Sequence, residues 1–572
     1  MSRTALRAIL TLFCGLTLLA AGCGRKPYPY RWFYLSNLLE SDAAVDTVAQ
    51  VVKSAADHGL NGMLMFSKFD YISLQDDVWR ARLKKVADIC RHEGVELVPR
   101  CLDMGYNDET LLHHDQNLAE GQPVENALFV AENGKAALVP DPDCALENGS
   151  FEVYTDDLPE GFSPADTTAP GRSLFVDEAQ AAEGKVSLRV EVASALPEES
   201  VLLSTTVAVS PHRCYRLSGQ VRTTDIARGG DVFPFMIQAR DGRRLNYFIP
   251  PVPASGEWVR VDLGFNSQDQ DSVIISVAAP EGAGTFWVDD LRLEEVGLVN
   301  LLRRPGAPLT VKSESDGTVY EEGRDYAPVA DTLLDFRFSH DGPALTLVPG
   351  GRIKEGERLR VSWCHGTTIY YHQVVACMSE PEVYEIWKRQ VQIIDSLIAP
   401  EKYFLSVDEL RMAGTCAACT ARGLTPGQLV AGCVQKQVQI VRSVSPKAGL
   451  LIWSDMFDPN HNADARGRYY LGSGDFYGSW EGLPRDLVIA CWYFERRRAS
   501  LDHFSSLGFH TLACGYYDAD NLERDQAWLA SLDSTVGALG IMYTTWSNKF
   551  ELLPQFGDLV EDHPMGKEKG AL

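Results

Sequence analysis

At 572 residues the chain is too long for one hydrophobic core and divides into two or three domains. Its composition, 45% hydrophobic and 23% charged, is ordinary for a globular protein. A formal net charge of -25 with no long block of one sign argues against nucleic acid or an anionic membrane surface as partner.

Residues 1–22 read as a targeting segment: Arg3 and Arg7 precede an apolar run, Ile9 to Ala20, too short to span a membrane comfortably. Leu19-Ala20-Ala21-Gly22-Cys23 then resembles a bacterial lipoprotein signal, with Ala20 where leucine is usual. That resemblance implies export to the cell envelope and membrane attachment through lipid on Cys23, at the outer membrane or cell surface; the alternative is an ordinary secretory signal cut nearby. Thirteen cysteines are scattered without a dense framework. Cys416 and Cys419 form a lone CxxC with no second pair at zinc-finger spacing, so it reads as a local disulfide or two packed thiols.

From residue 23 to 144 strands and helices alternate. Arg31 to Leu35, Leu60 to Phe66 and Val95 to Arg100 have strand character, while Asp42 to His58 and Asp76 to His92 carry apolar residues at helical spacing. That rhythm predicts parallel βα units; Leu102 to Cys144 reads as loop-rich.

Between 145 and 298 helix signals vanish. Short alternating strands at Ser187 to Val192, Arg216 to Thr223, Trp258 to Leu263, Ser272 to Ala278 and Phe286 to Leu293 predict an antiparallel β-sandwich. Its ends, Glu147-Asn148-Gly149-Ser150-Phe151-Glu152 and Thr285-Phe286-Trp287-Val288-Asp289-Asp290-Leu291, resemble those of galactose-binding-like carbohydrate-binding modules. The resemblance implies a structural calcium, with Glu152 and Asp289 or Asp290 as ligands. Trp258, Phe286 and Trp287 read as core residues of alternating strands. Residues 299–362 form a small β-rich appendix.

The βα rhythm resumes over 363–550, with strands at Lys402 to Val407, Gly449 to Trp453, Asp486 to Trp492, His510 to Cys514 and Leu539 to Trp546, and helices at Glu380 to Leu397, Pro426 to Val444, Ser500 to Leu507 and Leu522 to Leu532. Three strands before the insertion and five after it predict an α/β fold, a (β/α)8 TIM barrel interrupted after strand three. Residues 551–572 read as a C-terminal tail.

In such barrels chemistry sits at the strand tips. Strand four ends in Asp408-Glu409, a pair that reaches one site only if the strand has ended and the chain is turning, and that otherwise reads as a helix N-terminus. Strand three ends with Arg100 and Asp103, strand five with Trp453 and Asp455, strand six with Trp492, strand seven with Tyr516, Tyr517 and Asp518, strand eight with Trp546. Tryptophans beside carboxylates and tyrosines suit a sugar, whose ring has apolar faces and a polar rim.

These motifs resemble family 20 glycoside hydrolases, the β-N-acetylhexosaminidases. Ser406-Val407-Asp408-Glu409 is similar to the family's Gly-Gly-Asp-Glu, Leu451 to Met456 to its strand-five tryptophan motif, and Val98 to Tyr106 to its strand-three motif. The chain departs from the pattern in three places. Tyr106 stands where the family has histidine, with His113 and His114 nearby; Leu35-Ser36-Asn37 stands where it has an arginine; Ser406 and Val407 replace the glycines. The resemblance implies a substrate-assisted retaining mechanism without a catalytic cofactor. Glu409 would be the general acid and Asp408 the carboxylate that holds the substrate's acetamido N–H. Tyr516 or Tyr517 would hydrogen-bond the acetamido oxygen, Trp453, Trp492 and Trp546 wall the sugar, and Asp455 and Asp518 grip its hydroxyls.

Three alternatives stand beside it: a glycosidase of other specificity with Asp455 or Asp518 as second carboxylate, a non-catalytic glycan-binding lipoprotein, and a metal hydrolase built on His365, His461, Asp455 and Asp458.

Overall fold

The computed structural model describes residues 27–107, 111–140, 144–164, 172–193, 200–226, 235–246, 252–279, 283–368, 373–464 and 474–563. The targeting segment and Cys23 lie outside the described residues. No helix among those described is long and apolar enough to cross a membrane.

Eight parallel strands close a barrel in chain order: β1 Tyr30–Ser36, β2 Gly62–Phe66, β3 Glu96–Cys101, β4 Lys402–Leu405, β5 Gly449–Trp453, β6 Val488–Cys491, β7 His510–Tyr516 and β8 Ala538–Thr544. The TIM barrel is thus present, and β3 pairs with β4 across the whole insertion, Phe404 opposite Arg100 and Leu405 opposite Cys101. Alternation along each strand sorts the side chains. Trp32, Leu64, Val98, Phe404, Leu451 and Met542 fill the barrel interior. Phe33, Leu35, Met63, Tyr403 and Ile452 face the helices.

The outer helices are α1 Asp42–Asp57, α2 Asp77–Glu93, α3 Pro381–Ile398, α4 Pro426–Val444, α5 Arg497–Ser506, α6 Glu523–Leu532 and α7 Leu553–Glu561. Local chemistry sets their ends. Ser41 and Asp76 accept the N–H groups of Ala44 and Trp79, and Thr425 with Gln428 forms a reciprocal capping box. α7 corrects the reading of residues 551–572 as a tail. Leu553, Phe556 and Val560 are fully buried, and Asp558 pairs with His58 Nδ1 at 2.7 Å, which docks the helix on the end of α1.

The insertion holds two β bodies. In the sandwich, a five-stranded sheet runs in the order Val259–Asn266, Cys214–Thr224, Gly284–Glu295, Ser187–Val192, Arg172–Asp177, and a four-stranded sheet in the order Phe235–Gln238, Ser272–Ala279, Ser200–Ala208, Ser163–Pro164. Their facing sides bury Leu188, Leu217, Phe265, Ile275 and Phe286. Of the three aromatics read as core, only Phe286 is; Trp258 and Trp287 are half-buried, and Trp287 Nε1 donates to Asp177 at 2.8 Å.

The second body is a six-stranded sheet in the order Val319–Tyr320, Thr310–Ser313, Arg358–His365, Gln122–Glu132, Lys135–Leu138, Leu345–Thr346. Two of its strands come from the stretch read as loop-rich and assigned to the first part of the barrel. They form a hairpin whose turn, Asn133-Gly134, takes positive φ at both residues. The small sheet therefore draws strands from both sides of the sandwich.

Candidate active site at the C-terminal end of the barrel

β4 ends at Leu405 and no helix starts at the acid pair; the next, Ala417–Thr420, begins well beyond it. The helix-cap reading of Asp408-Glu409 falls. Glu409 instead takes φ of 51°, a left-handed turn that lets neighbouring side chains serve one region. The loop after β3 packs tightly against this turn: a Cβ on Gly105 would collide with the Asp408 carbonyl oxygen.

Asp408 faces a charged cluster. Arg100, buried and packed 4.9 Å from the Phe66 ring, lies 3.5 Å from Asp408 Oδ1 and donates to Asp103 Oδ2 at 3.0 Å and Ser406 Oγ at 2.8 Å. Ser406 Oγ also lies 3.1 Å from Asp408 Oδ1, so this serine ties the pair to β3. Asp103 Oδ1 accepts the N–H groups of Gly105 and Tyr106, and Asp70 Oδ1 accepts that of Asp103. Burial opposes the charge on Arg100, but Asp408 and Asp103 outweigh it and hold its pKa above the ordinary value. Burial, reinforced by Asp408 and Asp70, pushes Asp103 up to about 8, and burial alone is the main cause that takes Asp70 to about 6. Asp103 and Asp70 thus keep their protons to higher pH than isolated acids would.

Glu409 is held separately. Its Oε2 accepts the Tyr106 hydroxyl and Gln373 Nε2, the latter at 2.7 Å, and the Arg411 guanidinium in turn donates to Gln373. The Glu409 N–H donates to Asp455 Oδ2 at 2.8 Å. Asp455 also accepts Asn462 Nδ2 at 2.8 Å and faces Trp492 Nε1 at 3.4 Å. Burial and then the neighbouring Asp408 hold its pKa well above the usual carboxylate range.

Beside the acids stands an aromatic wall. Trp546, half exposed, stacks on Tyr517 with centroids 5.9 Å apart and planes 9° apart; Tyr34 and Trp453 lie 5.5 and 6.1 Å from it. Tyr517 is brought here by three successive left-handed residues, Tyr516, Tyr517 and Asp518, with φ of 69°, 65° and 56°. Such conformations cost about 1–3 kcal/mol each and persist where the surroundings fix them. The Tyr517 hydroxyl donates to the Trp492 carbonyl.

The structure brings Arg100, Asp103, Asp408, Glu409, Asp455 and Trp492 into one contact network, and Trp453, Tyr517 and Trp546 into an aromatic group joined to it through the Tyr517 hydroxyl on the Trp492 carbonyl. Two expected residues do other work. Tyr516 is buried against Tyr543, centroids 4.1 Å apart, on the helix side of the barrel. Asp518 accepts the Thr545 hydroxyl and the Trp546 and Ser547 N–H groups, so it fixes the β8 loop instead of gripping hydroxyls. Sequence reasoning missed Tyr34, Gln373 and Arg411. Tyr34 had a signal, its inward register at the end of β1; Gln373 and Arg411 sit in loops and had none.

His113 is exposed against Tyr71, and Tyr106 is the residue of this loop that meets Glu409. Among the described residues, His365, His461, Asp455 and Asp458 form no group able to hold a metal; His461 is buried between Trp492 and Tyr493. The proposed calcium ligands fit a cation poorly. Glu152 Oε1 accepts the N–H groups of Lys185 and Val186, and Asp289 Oδ2 those of Ala182 and Glu183. Both acids cap one turn, with amide hydrogens where a cation would stand, while Asp290 pairs with Arg292.

No protein-family model matches the sequence, and no curated protein does. Among solved structures, the β-N-acetylhexosaminidase from Bacteroides fragilis is similar over 35% of this chain and 42% of its own, at 12% identity and a TM-score of 0.23. The GH20 catalytic modules of the pneumococcal exo-β-D-N-acetylglucosaminidase StrH match 33% of this chain and 50% of theirs, at 11% identity and 0.22. The CBM22-1 xylan-binding domain of Paenibacillus barcinonensis Xyn10C matches 26% of this chain and 91% of its own, at 18% identity and 0.20. The chain spans half or less of the two enzymes' chains, and likenesses of this size carry no argument about its activity.

Proposed function

We propose that the protein is an exported glycoside hydrolase of the retaining β-N-acetylhexosaminidase type, acting on N-acetylated glycans and anchored to the envelope through Cys23. The observation that carries the reading is the split environment of the acid pair. Glu409 Oε2 is held by the neutral donors Tyr106 and Gln373, whereas Asp408 lies beside the Arg100 guanidinium. Two adjacent carboxylates in different surroundings suit two jobs. Glu409 gives its proton to the leaving oxygen and later takes one from water. Asp408, beside the Arg100 guanidinium, holds the acetamido N–H while the acetamido oxygen attacks the anomeric carbon. The exposed Trp546 face beside Tyr517 receives the sugar ring.

The test is Glu409→Gln on an aryl N-acetyl-β-glucosaminide. General acid catalysis contributes about 10²- to 10⁴-fold, so kcat should fall by that order with folding unchanged. Activity equal to the parent sinks the assignment; parent activity confined to unsubstituted glycosides moves it to another sugar class.

A further inference from the structure

Among the described residues one group of metal-binding side chains converges outside the acid pair: Glu120, Cys377, Cys416 and Cys419, all buried, with their ligand atoms within 4.8 Å of one another. Cys377 Sγ lies 3.6 Å from Cys416 Sγ and 3.7 Å from Cys419 Sγ. Glu120 Oε2 lies 3.3 Å from Cys419 Sγ and 3.7 Å from Cys416 Sγ. Around a tetrahedral zinc ion with Zn–S of about 2.3 Å and Zn–O of about 2.0 Å, the S···S edges are about 3.75 Å and the S···O edges about 3.5 Å. The four contacts fall on those edges. They are too long for a disulfide, and the third thiol is placed equally toward both members of the CxxC.

The surroundings are those of a ligand set held in place. Glu120 Oε1 accepts the Thr415 and Cys416 N–H groups at 2.8 and 2.9 Å, which turns Oε2 toward the thiols. Three thiolates and a carboxylate around a divalent ion carry two negative charges in excess. Arg304 offsets one: its Nη1 lies 3.9 Å from Cys416 Sγ, while Nε and Nη2 are fixed on the Asn117 and Ala119 carbonyls. A cavity lined by Cys364, Gly414, Thr415 and Ala417 reaches the residues flanking Cys416 and offers a path of entry.

We propose that Glu120, Cys377, Cys416 and Cys419 bind one Zn²⁺ in a structural tetrahedral site. This replaces the reading of the CxxC as a disulfide or packed thiols; its partners were hidden because they come from distant segments. On binding, each thiol loses its proton to solvent and Glu120 binds as the carboxylate. The ion joins three loops behind the acid pair. Glu120 follows the β3 loop of Tyr106, Cys377 follows Gln373, and Cys416 and Cys419 follow Glu409 and Arg411. Backbone bonds already run between two of them, from Glu120 N to Val375 O and from Cys377 N to Leu118 O. The proposal does not depend on the glycosidase reading.

The full chain, purified under reducing conditions without metal-affinity resin, should carry about one zinc per molecule by elemental analysis. Cys377→Ser and the Cys416→Ser/Cys419→Ser double variant should lose it, and Glu120→Gln should weaken zinc at least about tenfold against a metal buffer. Should the serine variants fail to fold, the parent chain stripped and reloaded with Co²⁺ decides: intense tetrahedral d–d bands with thiolate charge transfer support the site. Absence of both zinc and cobalt uptake overturns it, as does a Cys416–Cys419 disulfide in the metal-free isolated protein or undiminished zinc in Cys377→Ser.

Discussion

Tyr106 donates its hydroxyl to Glu409 Oε2, although the whole double insertion separates the two residues in sequence. The contact exists because β3 and β4 are neighbours in the barrel and the loop after β3 folds back over the β4 tip through Gly105. It makes the barrel's third strand a partner of the fourth in whatever the acid does.

Removing that hydroxyl alone tests the partnership. A hydrogen bond to a charged group is worth about 1.5–3 kcal/mol. Tyr106→Phe should lower kcat on an aryl N-acetyl-β-glucosaminide by about tenfold or more, with KM near that of the parent. A rise in KM with unchanged kcat would assign Tyr106 to substrate binding instead.

Two tryptophans of one wall should separate by exposure. Trp546 is 50% exposed and Trp453 only 2%. Trp546→Ala should cost about tenfold in kcat/KM, the worth of one aromatic stack, and little stability. Trp453→Ala should cost about 3–5 kcal/mol of stability in urea unfolding because it hollows the barrel interior. Equal destabilisation by both would remove Trp546 from the site.

Asp525 gives the pH prediction. Burial pushes its pKa up to about 7, while its Oδ1 accepts the Tyr516 N–H at 2.8 Å. The folded state therefore keeps this proton where the unfolded chain has lost it. The contribution to stability is complete below the unfolded value near 4 and is lost as pH rises to about 7, with a slope of at most ~1.4 kcal/mol per pH unit. In urea titrations the stability of the parent relative to Asp525→Asn should fall between pH 4 and 7 and level off above; a flat difference would refute it.

The barrel was legible because its signals are local. Apolar runs end in turns, and the eight strands lie within a few residues of their expected places. The acid pair was legible for the same reason, since it directly follows a strand. What was missed depends on distance in the chain. The hairpin around Asn133-Gly134 was read as loop because the strands that complete its sheet, Arg358–His365 and Leu345–Thr346, come only after the sandwich. Gln373 matters because Glu409 meets it, and Cys377 because two cysteines and a glutamate do; no spacing announces either. Tyr516 and Tyr517 were indistinguishable in sequence, and three left-handed residues decided which ring faces the site.

The nested insertion has a consequence for how the chain is made. Tyr30 pairs with Gly540, so the barrel cannot close until the chain has emerged past Gly540. The sandwich draws all its strands from one central stretch, and the small sheet needs only the segments flanking it. Both can consolidate first, while β1 to β3 wait with open edges for β4 and β8. During synthesis the inserts are thus a preassembled clamp that brings Cys101 and Lys402 within reach of each other before β5 to β8 exist.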